Sequence, residues 1–199
     1  MNRAKLRRVY AFWAPLYDPL YERFYRSLRR ESIAHLRIGP NERVLVVGSG
    51  TGSDFRFLAG ANVVAVDASL PMLHRSRAKA RSGNVQLLLA DGEQLPFREG
   101  VFDAAVLHLI LTVTPSGHEL LAEVSRVLRV GARVAVCDHF APVHGSSRLR
   151  RAITPLAELL GTRFDRTFDD VSAGLPFTVT RDAWQKLRCY RLLQLRHKE

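Results

Sequence analysis

The sequence is short of cysteine, of long apolar runs and of acidic charge, and each shortage excludes something. Its 199 residues hold two cysteines, Cys137 and Cys189. With no export signal, both are expected to be reduced thiols. No Cys/His spacing resembles a zinc site, and the seven histidines include no HExxH, so no metal is expected. No apolar run approaches the ~20 residues that span a bilayer. The start, MNRAKLRRVY, is basic but is followed by neither a long apolar core nor a small-residue cleavage site, so no signal peptide is read. Internal repeats, low-complexity tracts and long linkers are also missing. A single domain over residues 1–199 is therefore expected, and 47% hydrophobic residues are enough for its core.

The acidic shortage leaves a formal charge of +11 and a pI near 10.6. Such a balance suits an anionic partner: nucleic acid, a membrane surface or an acidic ligand. Codon usage in a GC-rich genome produces the same excess of arginine. Residues 1–30 carry eight Lys/Arg against Asp18 and Glu22, over half of the net charge.

Beyond that segment, strands and helices alternate. Arg43–Val47 reads as a buried strand, with a helix expected from Ser53. Val63–Val66, Val85–Leu89, Phe102–His108 and Arg133–Cys137 read as further strands. Pro71–Ala80 suits a helix, with Pro71 in its first turn. Glu119–Leu128 repeats apolar residues at helical spacing. This order implies a parallel sheet covered by helices. Phe177–Trp184 and Arg188–Arg196 look like a closing hairpin that adds an antiparallel strand.

Ligands of such sheets bind beyond the carboxyl ends of the strands. Those ends carry Gly48–Gly52, Asp67, Asp91–Gly92, His108 and Asp138–His139. The stretch VLVVGSGTGSD lacks the lysine of a GxxxxGK[ST] phosphate loop, and its third glycine comes one residue early for GxGxxG. Taken alone, it is a tight turn or a loop that admits a ligand. Asp67 and Asp91 point to a nucleoside-containing cofactor.

VLVVGSGTG, VVAVDASLPML, VQLLLADGEQLPF, FDAAVLHLIL and EVSRVLRVGARVAV occur in the order of class I S-adenosylmethionine-dependent methyltransferases, and residues 40–140 resemble that family. The resemblance implies a Rossmann-like α/β fold. Its seven-stranded sheet would be mostly parallel, with an antiparallel C-terminal strand and helices on both faces. It implies S-adenosylmethionine as cofactor and S-adenosylhomocysteine as product. Gly48, Ser49, Gly50 and Gly52 would admit the methionine part, and Asp67 would bind the ribose hydroxyls. Asp91 would meet the adenine amino group, Met72 and Gly92 would pack near the adenine, and His108 would lie near the sulfonium, with Ala68 and Glu93 as further cofactor-binding residues. Cys137 and Cys189 would fall on neighbouring strands. The chain departs from the family at Val46, where an acid is common, and at Val130-Gly131-Ala132, where Pro-Gly-Gly is usual.

The ends of the chain bear on the acceptor. YAFWAPLYDPLYERFYR, Tyr10 to Arg26, resembles the N-terminal segment of quinone C-methyltransferases and of soluble bacterial phosphatidylethanolamine N-methyltransferases. LHLILTVTP and DHFAPVHGSSRLRRAITPLAELLG resemble acceptor-side segments of the latter. Residues 1–30 read as a basic, aromatic, amphipathic segment over the active site, able to lie in a headgroup layer or simply to pack on the core. The expected acceptor is a phosphatidylethanolamine amine, with phosphatidylcholine as the end of repeated transfer. The expected location is cytoplasmic, at the inner face of the cell membrane, with a phospholipid headgroup and an anionic surface as partners. Tyr17 and His139 are candidates to orient the amine or relay its proton, backed by Asp138 and His108. Tyr10 would line the same mouth, and Arg148, Arg150 and Arg151 would hold the lipid phosphate. Each has a structural alternative: a core-capping tyrosine, a hydrogen-bonded histidine, a solvated arginine face. The rival functions are methylation of a quinone precursor or other small molecule, nucleic-acid methylation, and cofactor binding without turnover. No nucleic acid is expected as a partner, because no RNA-binding module or Asn/Asp-Pro-Pro-Tyr/Phe motif is present.

Overall fold

The structure is a computed structural model that describes residues 25–80, 83–141, 166–185 and 190–199. Tyr10, Tyr17, Arg148, Arg150, Arg151 and Cys189 lie outside the described residues. Seven strands form one sheet: β1 Arg43–Val47, β2 Asn62–Asp67, β3 Val85–Leu89, β4 Phe102–His108, β5 Leu128–Asp138, β6 Phe177–Gln185 and β7 Tyr190–His197. Their order is β3-β2-β1-β4-β5-β7-β6. Strands β1 to β5 pair in parallel. Strand β7 runs antiparallel between β5 and β6, as the closing hairpin leads one to expect.

The central strands are apolar throughout because both faces are covered. In β1, Leu45 and Val47 join one cluster with Leu120, Leu121, Val124 and Val127 of α3 (Gly117–Val127) and Phe168 and Val171 of α4 (Phe168–Ser172). Val44 and Val46 point the other way, into a cluster with Ile33 and Leu36. Ile33 belongs to α1, helical over the described residues 25–34. Ser116 caps α3 by accepting the Glu119 N–H at 3.2 Å, and Glu119 puts a negative charge in the first turn.

Helix α1 runs antiparallel to β5. Its Tyr25 meets Tyr190 beside the carboxyl end of β5. At its other end the Leu36 and Arg37 carbonyls accept from Arg133, near the start of β5's parallel pairing with β4. Those bonds fasten the turn that follows the helix to β5.

Three expectations are corrected. The helix expected from Ser53 is only a 3-10 turn, Phe55–Phe57, because Gly60 turns the chain at φ +86° and β2 begins at Asn62. Helix α2 spans Leu70–Ser76 and stops short of Ala80. Strand β5 begins at Leu128, directly after α3. A register shift between Phe102 and Ala104 absorbs Arg129–Ala132, with Gly131 at φ +78°.

Leu193 is fully buried between the sheet and α3, whereas Leu70 is 52% exposed. Leu193→Ala is expected to lower the unfolding free energy by about 2–5 kcal/mol, and Leu70→Ala by less than about 0.5 kcal/mol. Urea titration checks both values.

Candidate active site at the carboxyl edge of the sheet

Strand order reverses between β1 and β4, and the loops that follow these two strands open a crevice. On the β1 side lies the glycine loop. Gly50 sits at φ +53°, where an L side chain is strained, and a carbon added there would meet nothing within 4 Å. The loop is therefore bare backbone facing open space. Gly48 and Gly52 are small for packing: a side chain would strike Ile110 at the first and the Phe55 ring at the second.

Asp67 ends β2 and holds that loop. Its Oδ2 accepts the Gly50 N–H at 2.7 Å, and its Oδ1 accepts the Ser69 N–H at 2.8 Å. Burial pushes its carboxyl above the ordinary range, against the pull of those two bonds. Among the described residues, the hydroxyls of Ser49 and Ser69 are buried without a hydrogen-bond partner. An unmade bond of that kind costs about 1–3 kcal/mol, so the pocket beside Asp67 suits a ligand rich in hydroxyl and amino groups. Ala68 lies between Asp67 and α2, and Met72 is buried on α2.

The turn after β3 completes this half. Asp91 Oδ1 accepts the Glu93 N–H at 3.1 Å. Glu93 turns away toward the α3 side, where its Oε1 accepts from Thr114 Oγ1 at 2.7 Å and the Ser116 N–H at 2.8 Å. Gly92 packs so closely on Val47 and Leu120 that no side chain fits there.

At the switch point itself, the sequence reading missed a hub. His108 ends β4 and is 4% exposed. Its Nδ1 lies 2.8 Å from Asp54 Oδ1, and its Nε2 lies 3.0 Å from Ser32 Oγ. Asp54 Oδ2 also accepts from Arg29 Nη1 at 2.7 Å. Burial alone would raise the Asp54 carboxyl, but Arg29 and His108 outweigh it and hold it well below the ordinary carboxylate range. With Asp54 ionised, His108 Nδ1–H donates to it, and Nε2 lies against the Ser32 hydroxyl. One carboxylate thus joins α1, the glycine loop and β4. Val46, in the position where an acid was noted as common, is buried in the apolar cluster with Ile33 and Leu36.

The β5 side carries Asp138 and His139. Asp138 is fully buried. It accepts from Thr112 Oγ1 at 2.5 Å, the Thr112 N–H at 3.2 Å and the His139 N–H at 2.8 Å. Burial pushes its carboxyl up. Asp138 therefore shapes the turn that presents His139, whose ring centroid lies 4.0 Å from that of Tyr190. The Tyr190 hydroxyl bonds the Tyr25 hydroxyl. Cys137 beneath them is buried, and that burial pushes its thiol up to about 12, so it is no nucleophile.

The site thus unites Gly48, Ser49, Gly50, Gly52, Asp67, Ala68, Met72 and Asp91 on the β1 side of the switch point and Asp138 and His139 on the other. His108 lies between them. The sequence family described as a methyltransferase domain matches residues 45–136. A phosphatidylethanolamine N-methyltransferase of Cereibacter sphaeroides is 30% identical over 87% of this chain and 87% of its own length. The chain belongs to the class I S-adenosylmethionine-dependent methyltransferases. S-Adenosylmethionine is accordingly the methyl donor of this methyltransferase, and S-adenosylhomocysteine its product. A demethylmenaquinone methyltransferase of Mycobacterium sp. (strain KMS) is 31% identical over 82% of this chain and 76% of that protein. In fold, the methyltransferase matches the solved Burkholderia thailandensis 1,6-didemethyltoxoflavin-N1-methyltransferase, with a TM-score of 0.75 at 18% identity, over 98% of this chain and 88% of the other.

Two outcomes test this geometry. Asp67→Ala is expected to weaken S-adenosylhomocysteine binding about ten- to a hundredfold by calorimetry. Asp54→Asn removes the buried charge that Arg29 and His108 meet and is expected to cost about 3 kcal/mol of stability at pH 7. Because the folded Asp54 carboxyl lies below its ordinary 3.8, its contribution is complete above that pH and is lost as pH falls through the depressed value. The stability gap between wild type and Asp54→Asn should therefore close on acidification below about pH 4 in urea titrations.

Proposed function

We propose that this methyltransferase moves the donor's methyl group to the primary amine of phosphatidylethanolamine at a membrane surface, with repeated transfer toward phosphatidylcholine. The observation that carries this reading is the relative from Cereibacter sphaeroides, whose similarity extends over 87% of both chains and so beyond the donor-binding core. The charge of +11 supports it, since each Lys or Arg near an anionic surface contributes on the order of 1 kcal/mol. Among the described residues no helix is long and apolar enough to cross a membrane. The proposed location is therefore peripheral, at the inner face of the cell membrane. The single domain would place its basic N-terminal segment, with Tyr10 and Tyr17, over the acceptor mouth. Arg148, Arg150 and Arg151 are proposed to bind the lipid phosphate.

When bound, the donor supplies a methyl group on a sulfonium, which an amine lone pair can attack in line. The chain's own residues then do the positioning. Asp67 is proposed to accept from the ribose hydroxyls, with Ser49 and Ser69 adding hydroxyl contacts. Asp91 is proposed to meet the adenine amino group. His108, with one nitrogen against Asp54 and the other against Ser32, lies between the two halves of the crevice and is proposed, with Asp138, to stand behind the acceptor-side residues. His139 is proposed to receive the proton the amine must lose before it attacks.

Methylation of a quinone precursor is the second reading, favoured by the demethylmenaquinone methyltransferase relative. Labelled donor offered to phosphatidylethanolamine vesicles, with and without anionic lipid, and to demethylmenaquinone decides between them. Label in the lipid amine, increased by anionic lipid at low salt, is expected. Label in the quinone alone contradicts the lipid reading.

A further inference from the structure

The half of the sheet edge beyond His108 has its own arrangement, which the donor does not need. His139 is the partly exposed member of a stack, and Tyr190 and Tyr25 behind it are 6% and 5% exposed. The His139 ring lies against Tyr190 with a 51° tilt. Tyr190 meets Tyr25 edge to face, with centroids 5.1 Å apart, and their hydroxyls are bonded. The three side chains come from the end of β5, the start of β7 and α1. Among the described residues, the carboxylates around these strand ends are engaged elsewhere. Asp138 is bonded by Thr112 and the His139 backbone, and Glu31 by Arg181 and Gln185. Asp182 is bonded by Arg191, and Asp54 by Arg29 and His108. Imidazole is the ordinary side chain for taking a proton near neutral pH, and a base must be held in place to do so.

We infer that Tyr190 and Tyr25 are positioning residues for His139: the Tyr190 ring fixes the imidazole, and the Tyr25 hydroxyl fixes Tyr190. The inference rests on the amine reading of the acceptor. The substrate arrives as an ammonium, and His139 takes one N–H proton and becomes imidazolium. The freed nitrogen pair forms the N–C bond as the S–C bond breaks with its electrons going to sulfur. The methylated ammonium leaves, and the imidazolium returns its proton to water. Tyr25 belongs to α1, so the tyrosine pair ties this base to the same helix whose Arg29 bonds Asp54 of the donor loop.

Turnover on phosphatidylethanolamine vesicles with labelled donor tests this, beside calorimetry with S-adenosylhomocysteine. Tyr190→Leu is expected to lower kcat about 10- to 100-fold, and Tyr190→Phe and Tyr25→Phe by about 3- to 10-fold. S-Adenosylhomocysteine affinity should stay within about twofold, since no donor contact is touched. In a His139→Ala background the tyrosine substitutions should cost nothing further, because residues that act through one another are not additive. Undiminished kcat in Tyr190→Leu, a parallel loss of S-adenosylhomocysteine affinity, or full additivity with His139→Ala overturns the role. Wild-type enzyme that labels demethylmenaquinone and no lipid overturns the amine reading and this role with it. Wild-type lipid labelling with unaffected variants overturns this role alone.

Discussion

Strand β1 has β2 on one side and β4 on the other, and the chain leaves β1 toward one neighbour and returns through the other. Parallel pairing forces each return through a crossover, so the loops after β1 and β4 diverge and leave a crevice between them. Every chemically useful group of the site stands at the rim of that crevice. The glycine loop, Asp67 and the Asp91 turn belong to strands on one side, and Asp138 and His139 to the other. The two sides of the crevice are thus separated by topology before any side chain is chosen.

Keeping the two halves in register is the task of helix α1. Over its described residues it covers β1, β4, β5 and β7, and its polar side chains reach the ends of β4 and β7 and the loop after β1. Arg29 and Ser32 meet Asp54 and His108, and Tyr25 meets Tyr190. Charges so buried are costly unless paired, and Asp54 is paired by two groups at once. Removing any member leaves a desolvated partner behind, so the network is stiffer than its individual bonds suggest. His139 after β5 and the glycine loop after β1 can then keep one spacing, which in-line transfer requires.

The strands were legible because VLVV, NVVAVD and FDAAVLH are apolar on both faces, which only a covered parallel sheet rewards. Asp67, Asp91 and His108 were legible because each ends such a run. Asp54 was not, since a lone acid after glycines reads as a solvated loop residue, and its partners lie 25 and 54 positions away. A signal did exist: Tyr25, Leu28, Arg29, Ser32 and Leu36 share one helical face, and two polar residues inside an apolar stripe imply buried partners. Tyr190 passed as an ordinary strand residue, because its contacts with His139 and Tyr25 arise only when β7 inserts beside β5. The helix expected after Ser53 failed because a local glycine outweighed the usual strand–helix alternation. Strand β5 was read short because Arg129-Val130-Gly131 interrupts its apolar pattern where the bulge falls.

The crevice divides at the β1–β4 switch point, and a crystal structure with S-adenosylhomocysteine bound tests that division most directly. The expected result is the ribose against Asp67 and the thioether sulfur between the ends of β1 and β4, with the opening beyond it bounded by His139. A nucleoside seated on the β5 side, or away from the glycine loop, would contradict it.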